Sequence, residues 1–319
     1  VVHRAAMSWL ARPVDAVLEA SVAGSVSRVG IETRRRLAHW SPIQDMTGKT
    51  VVVTGATSGI GKAAAAGFVD AGATVALLGR DAARLAAAAQ ETGAAETYLA
   101  NLSDLADARR FVADFSAVHD RLDVLVHNAG ALVPDYRRTP QGFEDTYASQ
   151  VLAQHVITTG LLPLLQAAHG RVIVVSSGGM YTQRLDADSV ELGPEEFDGV
   201  RAYALAKRAQ VTLTEEWARR YSDSDVSFFS MHPGWADTPG VRTSLPTFHR
   251  ITGPFLRTPE QGADTIVWLG ANPQAAQDNG RFWLDRRPRS TQRLPRTAPD
   301  RSTAEALWDQ VDSQTAVLD

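Results

Sequence analysis

The sequence predicts an α/β chain organised as a doubly wound parallel sheet with helices on both faces, and three observations predict it. From Lys49 onward, short runs rich in β-branched residues alternate with Ala-rich helical stretches, the pattern that builds strand, helix and parallel strand in succession. The runs are continuously apolar rather than alternating, as expected where both faces of a sheet are covered. A glycine-rich turn joins the first run to the first helical stretch.

Seven runs read as strands, giving a seven-stranded sheet: TVVVTG, TVALLG, ETYLA, DVLVHNAG, RVIVVSS, VSFFSMHPG and GRFWLD. Helical patterns lie between them, at Ile60 to Ala71, Ala82 to Glu91 and Leu105 to Val118. No internal repeat or low-complexity linker divides residues 49–285, so residues 46–285 are expected to form a single domain. Residues 1–45 precede it as a helical extension. Residues 286–319 follow as a tail, beginning RRPRSTQRLPRTAPDRS. Its Arg, Pro and hydroxyl content favours extended or mobile backbone, with a short docking helix allowed at Ala304 to Trp308.

Composition narrows the function. The 319 residues are 44% hydrophobic and 21% charged, an ordinary soluble balance. With 32 Lys+Arg against 36 Asp+Glu, no global positive field exists to hold nucleic acid or an anionic membrane. Cysteine is absent, which removes disulfides, thiolate metal sites and Cys nucleophiles and makes a cytoplasmic location the expectation. The scattered histidines give no paired metal-ligand spacing.

No apolar run reaches the roughly 20 residues of a spanning helix. Ala5 to Ala23 is broken by Arg12, Pro13, Asp15 and Glu19 and lacks a secretory cleavage pattern. Arg34, Arg35 and Arg36 beside Leu37 and Trp40 permit an amphipathic surface helix. The simpler expectation is a helix packed on the main domain with solvated arginines. The alternative is a peripheral membrane contact through Trp9, Leu10 and the Arg34 to Arg36 cluster.

Thr54-Gly55-Ala56-Thr57-Ser58-Gly59-Ile60-Gly61 follows a strand and opens a helix, the context of a Rossmann-type dinucleotide cradle. Gly55 permits the tight turn, Gly59 lets backbone approach a pyrophosphate, and Gly61 lets the helix pack on the sheet. Free N–H groups of Thr57, Ser58 and Ile60 at the helix start face the anion. The second strand ends Leu78-Gly79-Arg80, where an acidic residue would accept bonds from a ribose 2′-hydroxyl. A guanidinium instead offers a fork to a 2′-phosphate. Arg80 therefore favours NADP, with NAD as the other cofactor; the competing reading is a solvated arginine beside Asp81 as helix cap. Asn101 and Leu102, after the third strand, fall near the adenine.

At the carboxyl ends of the next strands stand His127-Asn128-Ala129-Gly130 and Ser176-Ser177. Tyr203 and Lys207 lie four apart in a helical pattern, on one face and one turn apart. A phenol with an ordinary pKa near 10 needs electrostatic help to exchange a proton near neutrality, and an ammonium beside it supplies that help.

Through TGATSGIG, NAG, the serine-ended strand, YALAK and His232-Pro233-Gly234, residues 49–285 resemble the short-chain dehydrogenase/reductase (SDR) family. More narrowly, VSSGGM, FDG, MHPGWADTPGVR and FWLDR resemble its orphan branch named dehydrogenase/reductase family member twelve, including that branch's extra N-terminal segment. The resemblance implies that Tyr203 is the acid for carbonyl reduction and the base for alcohol oxidation. It implies that Lys207 binds the nicotinamide ribose and lowers the Tyr203 pKa, and that Ser177, rather than the deeper Ser176, bonds the reacting oxygen. Thr238, after Pro233 and Gly234, helps hold the carboxamide, and Asn128, with Ala129 and Gly130, bounds the adenosine side. Many members place an asparagine where this chain has Gln150, which leaves the proton relay retained, rearranged or lost. Dimers or tetramers through the helices flanking Gln150 and Tyr203 are also implied, unless the N-terminal segment covers that surface.

Ser177 and Tyr203 are separated by an insert containing Met180, Tyr181, Pro194 and Phe197. It is expected to form a lid or pocket wall, or else to pack against the core. With Trp235 and residues 241–255 it offers apolar surface for a lipophilic ketone, aldehyde or alcohol. The functional expectation is an NADP-dependent oxidoreductase acting on a carbonyl/alcohol pair. The alternative is a nucleotide-binding scaffold or redox-sensing interaction protein with little turnover.

Overall fold

The structure, a computed structural model, describes residues 11–293 and 299–316. Trp9 and Leu10 lie outside the described residues. Three helices open the described residues: α1 (Ala11–Ala20), α2 (Val22–Val26) and α3 (Arg28–Ala38). The alternating part then runs β1 (Thr50–Thr54), α4 (Gly59–Asp70), β2 (Thr74–Gly79), α5 (Ala82–Thr92), β3 (Glu96–Leu99), α6 (Leu105–Val118) and β4 (Val124–His127). A short helix, α7 (Asp145–Tyr147), passes through a π-helical turn at Ala148–Leu152 into α8 (Ala153–Gly160) and α9 (Leu162–Ala168). The second half comprises β5 (Arg171–Val175), α10 (Gly199–Arg220), β6 (Ser227–Met231), α11 (Pro239–Ser244), α12 (Pro246–Thr252), α13 (Pro259–Ala271) and β7 (Phe282–Leu284). It ends with β8 (Arg287–Arg289) and α14 (Arg301–Ala316).

Helix starts obey local capping chemistry. Asp81 accepts the Arg84 amide at 3.0 Å, Asp198 accepts that of Arg201 at 2.7 Å, and Thr258 forms a reciprocal capping box with Gln261, each satisfying amides that the first helical turn leaves unpaired. Ser58, which precedes α4, makes no side-chain cap. That is the helix whose start the glycine turn opens.

The sheet order is β3-β2-β1-β4-β5-β6-β7-β8, and strand order reverses between β1 and β4, where such sheets open a ligand crevice. Within one strand, neighbours divide between two cores. Val51, Val53, Val126, Ile173 and Phe229 pack under α4, α5 and α13. Val52, Leu125, Val172, Val174 and Phe228 pack under α6, α8 and α10. This two-sided burial is why the runs read as continuously apolar.

Two features differ from the sequence expectation. An eighth strand exists because Asp285 and Arg286 both take left-handed backbone, φ 55° and 56°. They form a two-residue hairpin turn of the kind that matches strand twist, folding Arg287–Arg289 antiparallel onto β7. The tail also carries a 16-residue helix, α14, rather than only a short one at Ala304 to Trp308. Leu307, Trp308 and Val311 bury on the core beneath α8 and α10, and Tyr147 donates to Gln314 Oε1 at 2.7 Å. The surface flanking Gln150 and Tyr203 is thus packed against this C-terminal helix, and among the described residues it is α14 that lies there.

The arginines of α3 also depart from expectation. Arg35 and Arg36 are exposed, but Arg34 is 4% exposed and paired with Asp15, Glu19 and Asp285. A guanidinium held by three carboxylates is neither solvated nor free to meet a membrane. Among the described residues, no single helix is long and apolar enough to cross one.

Candidate active site

The glycine turn forms as its composition requires. Gly55 and Gly59 take φ 64° and 55°, conformations in which a side chain is strained. A Cβ on Gly61 would collide with Asn128 Nδ2 and stand 2.5 Å from the Gly55 carbonyl oxygen. Asn128 donates from Nδ2 to the carbonyls of Thr54 and Gly55 at 3.0 and 3.1 Å, and Thr54 Oγ1 accepts the amides of Asn128 and Ala129 at 3.0 Å. Asn128 therefore braces the turn against β4. No side chain caps α4 at Ser58, which leaves first-turn amides open to an anion.

Around this turn the other cofactor candidates fall at strand ends. Gly79 closes β2 against Thr57, whose Cγ2 would lie 3.2 Å from a Cβ there. Arg80 is exposed and makes no hydrogen bond or ion pair with any described residue. Asn101 is exposed and accepts the Ser103 amide at 3.3 Å, while Leu102 is buried at 7% exposure. Gly234 takes φ 78° after Pro233 at the end of β6. Thr238 caps α11 by accepting the Val241 amide at 3.3 Å, and its Cγ2 would lie 3.1 Å from a Cβ on Gly59. The loop after β6 is thereby laid across the glycine turn.

The sequence-predicted triad converges. Asp198 starts α10, which carries Tyr203 and Lys207 one turn apart, and the Lys207 Nζ lies 5.2 Å from the Tyr203 ring centroid. Ser177, at the rim of β5, accepts the Gly179 amide at 3.3 Å. Burial pushes the Tyr203 phenol above its ordinary pKa, and a hydrogen bond with Ser177 pulls it the other way. Ser176 is turned inward, 2% exposed, and donates to the Lys207 carbonyl at 2.8 Å. It braces α10 and does not face the reacting position.

Lys207 is 2% exposed and donates to the Val175 carbonyl at 3.0 Å. Burial without a carboxylate partner lowers it to about 7, because desolvation disfavours the ammonium. Gln150 reaches the same corner: a Cβ on Gly130 would stand 2.7 Å from Gln150 Oε1 and 3.0 Å from Lys207 Nζ. Its Nε2 donates to the Ala131 carbonyl at 2.9 Å, leaving Oε1 buried without a partner among the described residues. The longer amide thus keeps one polar atom beside the lysine.

The insert's large side chains turn inward. Met180 is fully buried against Val211 and Phe282, Tyr181 donates to the Ser290 carbonyl at 2.7 Å, and Phe197 packs with Leu192, Ala202 and Leu205. Core packing consumes them. Apolar surface remains instead beyond Thr238, where Leu245, Ile251 and Phe255 are 38%, 69% and 55% exposed and Trp235 meets Phe248 edge-on at 5.1 Å. Sequence reasoning missed Arg257 and Asp285, buried behind the Pro233–Thr238 loop. Arg257 belongs to no motif, and Asp285 stood in FWLDR only as part of a resemblance, with nothing in the sequence to pair the two.

Known proteins share this architecture. The short chain dehydrogenase family model matches residues 49–247. The human Dehydrogenase/reductase SDR family member 12 is 44% identical over 267 residues, covering 81% of this chain and 83% of that protein. Human Retinol dehydrogenase 14 is 32% identical over 295 residues, covering 83% and 85%. Among solved structures, a short chain dehydrogenase from Salmonella enterica serovar Typhi CT18 superposes with a TM-score of 0.64 at 26% identity, covering 78% of this chain and all of that one. A chain from Escherichia coli CFT073 solved with NADPH gives 0.62 at 26% identity, covering 77% and 100%. A glycine turn at the sheet's switch point, a serine at the next rim and a tyrosine and lysine one turn apart above it meet in one chain that belongs to the short-chain dehydrogenase/reductase family, NAD(P)-dependent oxidoreductases acting on alcohol and carbonyl groups.

Proposed function

We propose that the chain is an NADP-dependent oxidoreductase that interconverts a lipophilic carbonyl compound and its alcohol. The observation that carries this reading is the convergence of Ser177, Tyr203 and Lys207 at the strand ends beside the Gly55–Gly61 turn. The residues present suit a dinucleotide. Uncapped amides at the start of α4 suit the pyrophosphate, and the unpartnered Arg80 guanidinium suits a 2′-phosphate. Asn101 and Leu102 would border the adenine, Asn128, Ala129 and Gly130 the wall of the crevice, and Pro233, Gly234 and Thr238 the nicotinamide end.

A bound nicotinamide supplies or accepts the hydride. The chain's own part is to hold the reacting oxygen and to move its proton. Ser177 Oγ orients that oxygen, and Tyr203 Oη delivers the proton in reduction or removes it in oxidation. The Lys207 ammonium stabilises the phenolate that remains. Gln150 Oε1 stands where a proton returning toward Lys207 would pass.

Two observations support the lipophilic class. The segment after Thr238 exposes Leu245, Ile251 and Phe255, and one relative is named for retinol, an apolar alcohol. A panel of hydrophobic ketones and aldehydes with NADPH and with NADH, followed at the absorbance of the reduced nicotinamide, tests the proposal. Turnover with NADPH is expected. Cofactor binding with no turnover across the panel would favour the scaffold reading instead.

A further inference from the structure

We infer that the N-terminal extension is a working part of the nicotinamide end of the site, coupled to it by Asp285 shared between Arg34 of α3 and Arg257 of the loop before α13. This rests on the cofactor reading above and adds to it a set of positioning residues outside the crevice.

Asp285 is 1% exposed. Both of its oxygens accept from Arg257, Nη1 at 2.6 Å and Nη2 at 2.9 Å, and Oδ2 also accepts from Arg34 Nη1 at 2.6 Å. The two guanidiniums share a second acceptor, the Ser25 carbonyl in the last turn of α2, at 2.8 Å from Arg34 and 3.0 Å from Arg257. Arg257 donates further to the carbonyls of Ser27 at 3.2 Å and Pro233 at 3.3 Å. One buried arginine therefore ties two residues of the extension to the first residue of the nicotinamide-end loop.

The backbone repeats the connection. The Trp235 amide donates to the Val26 carbonyl at 2.9 Å, the Arg257 amide to the Trp235 carbonyl at 2.7 Å, and the Asp237 amide to the Arg257 carbonyl at 2.8 Å. A Cβ on Gly234 would collide with the Arg257 guanidinium, so the loop lies directly on that side chain. Thr238 follows and reaches over Gly59. From Ser25 to the glycine turn, each step is a contact.

Two arguments assign this network to positioning rather than to cohesion alone. Apolar residues of similar size would hold the extension in place at no desolvation penalty, whereas a buried fork of charged hydrogen bonds fixes orientation. The network is directional as well: it grips the loop from Pro233 to Thr238 and makes no hydrogen bond to Arg80, Asn101 or Leu102 at the adenine end.

The experiment measures binding of NADPH and of 2′,5′-ADP, which carries the adenine half alone, to the full chain by calorimetry. Two variants are compared with wild type. Arg34→Lys keeps the charge but loses the fork. Gly30→Ala places a methyl against the Ser25 carbonyl oxygen, the acceptor that both arginines share. Expected is a loss of NADPH affinity of about tenfold in each, the scale of one charged hydrogen bond, with 2′,5′-ADP affinity within about twofold of wild type. NADPH affinity unchanged in Arg34→Lys, or equal losses for both ligands, would overturn the inference while leaving the cofactor reading intact. Should Gly30→Ala fail to fold, Arg34→Lys alone decides. Wild-type protein that bound neither NADPH nor NADH would overturn the cofactor reading and this inference with it.

Discussion

Lys207 Nζ donates to the Val175 carbonyl at 3.0 Å, pinning the middle of α10 to the rim of β5 with no carboxylate to neutralise it. Tyr203, one turn earlier, is held over that ammonium at 5.2 Å from ring centroid to nitrogen. The lysine is thus anchored by a neutral acceptor, and in its protonated form no carboxylate among the described residues competes with the phenol for it.

Replacing Tyr203 with Phe removes the exchangeable proton and keeps the ring that rests near Lys207. Turnover is expected to fall by about 10²-fold or more, the range for a lost general acid or base, while NADPH affinity stays nearly constant. Steady-state rates and a fluorescence titration on the same preparation check both halves. Undiminished activity would remove Tyr203 from its role.

Arg80→Ala tests the cofactor preference. Because the guanidinium has no protein partner among the described residues, its removal disturbs little else in the fold. NADPH affinity is expected to drop by at least about tenfold, as for a lost ionic hydrogen bond, and NADH affinity to change far less. Equal losses would point to a structural arginine.

Stability should decline in mild acid. His127 and His232 are 0% and 4% exposed, and burial lowers both to about 3. Unfolded imidazole takes a proton near pH 6.5, about where an ordinary histidine titrates. Below that pH the unfolded chain therefore binds protons that the native chain refuses. The stabilisation is complete above 6.5 and is lost as pH falls toward 3, at up to about 1.4 kcal/mol per pH unit for each ring. Urea midpoints at pH 7.5 and 5 measure it, and His127→Asn should show a shallower decline than the intact protein. Parallel slopes would acquit His127.

Trp308→Ala probes the C-terminal helix. The indole is 7% exposed, sits edge-on to His155 at 5.0 Å and lies under Arg220 at 4.4 Å. Truncation in a packed site costs about 3 to 5 kcal/mol, readable as a lowered unfolding midpoint. Deleting residues 301–319 should go further, exposing the α8 and α10 surface and shifting gel-filtration elution toward larger species. Unaltered elution would show that this surface does not self-associate.

What the residues disclose before folding is local. The Gly55–Gly61 turn, Asp81 as a cap, and Tyr203 with Lys207 depend on neighbours within a few positions, so motif and spacing expose them. The inner strands were legible because both faces are buried, whereas β3, at the sheet edge, is partly exposed along its length and is not the buried strand expected. Arg34 was not, since its decisive partner, Asp285, lies 251 positions away and three adjacent arginines resemble a solvated stripe. β8 was hidden by its composition, for Arg-Pro-Arg has no apolar pattern and joins the sheet only because the preceding turn aims it there. The insert's Met180 and Phe197 were ambiguous, because an aromatic that lines a mouth and one that fills a core look alike in sequence.

Translation makes the eight strands before it makes Arg301–Ala316. Every nascent copy must therefore pass through an interval in which the sheet is complete while His155 and Tyr221 still lack the Trp308 indole and Tyr147 lacks the Gln314 acceptor that α14 brings. The greasy flank laid bare in that window is where chaperones would find a handle, and where a slow or truncated synthesis would leave the molecule sticky.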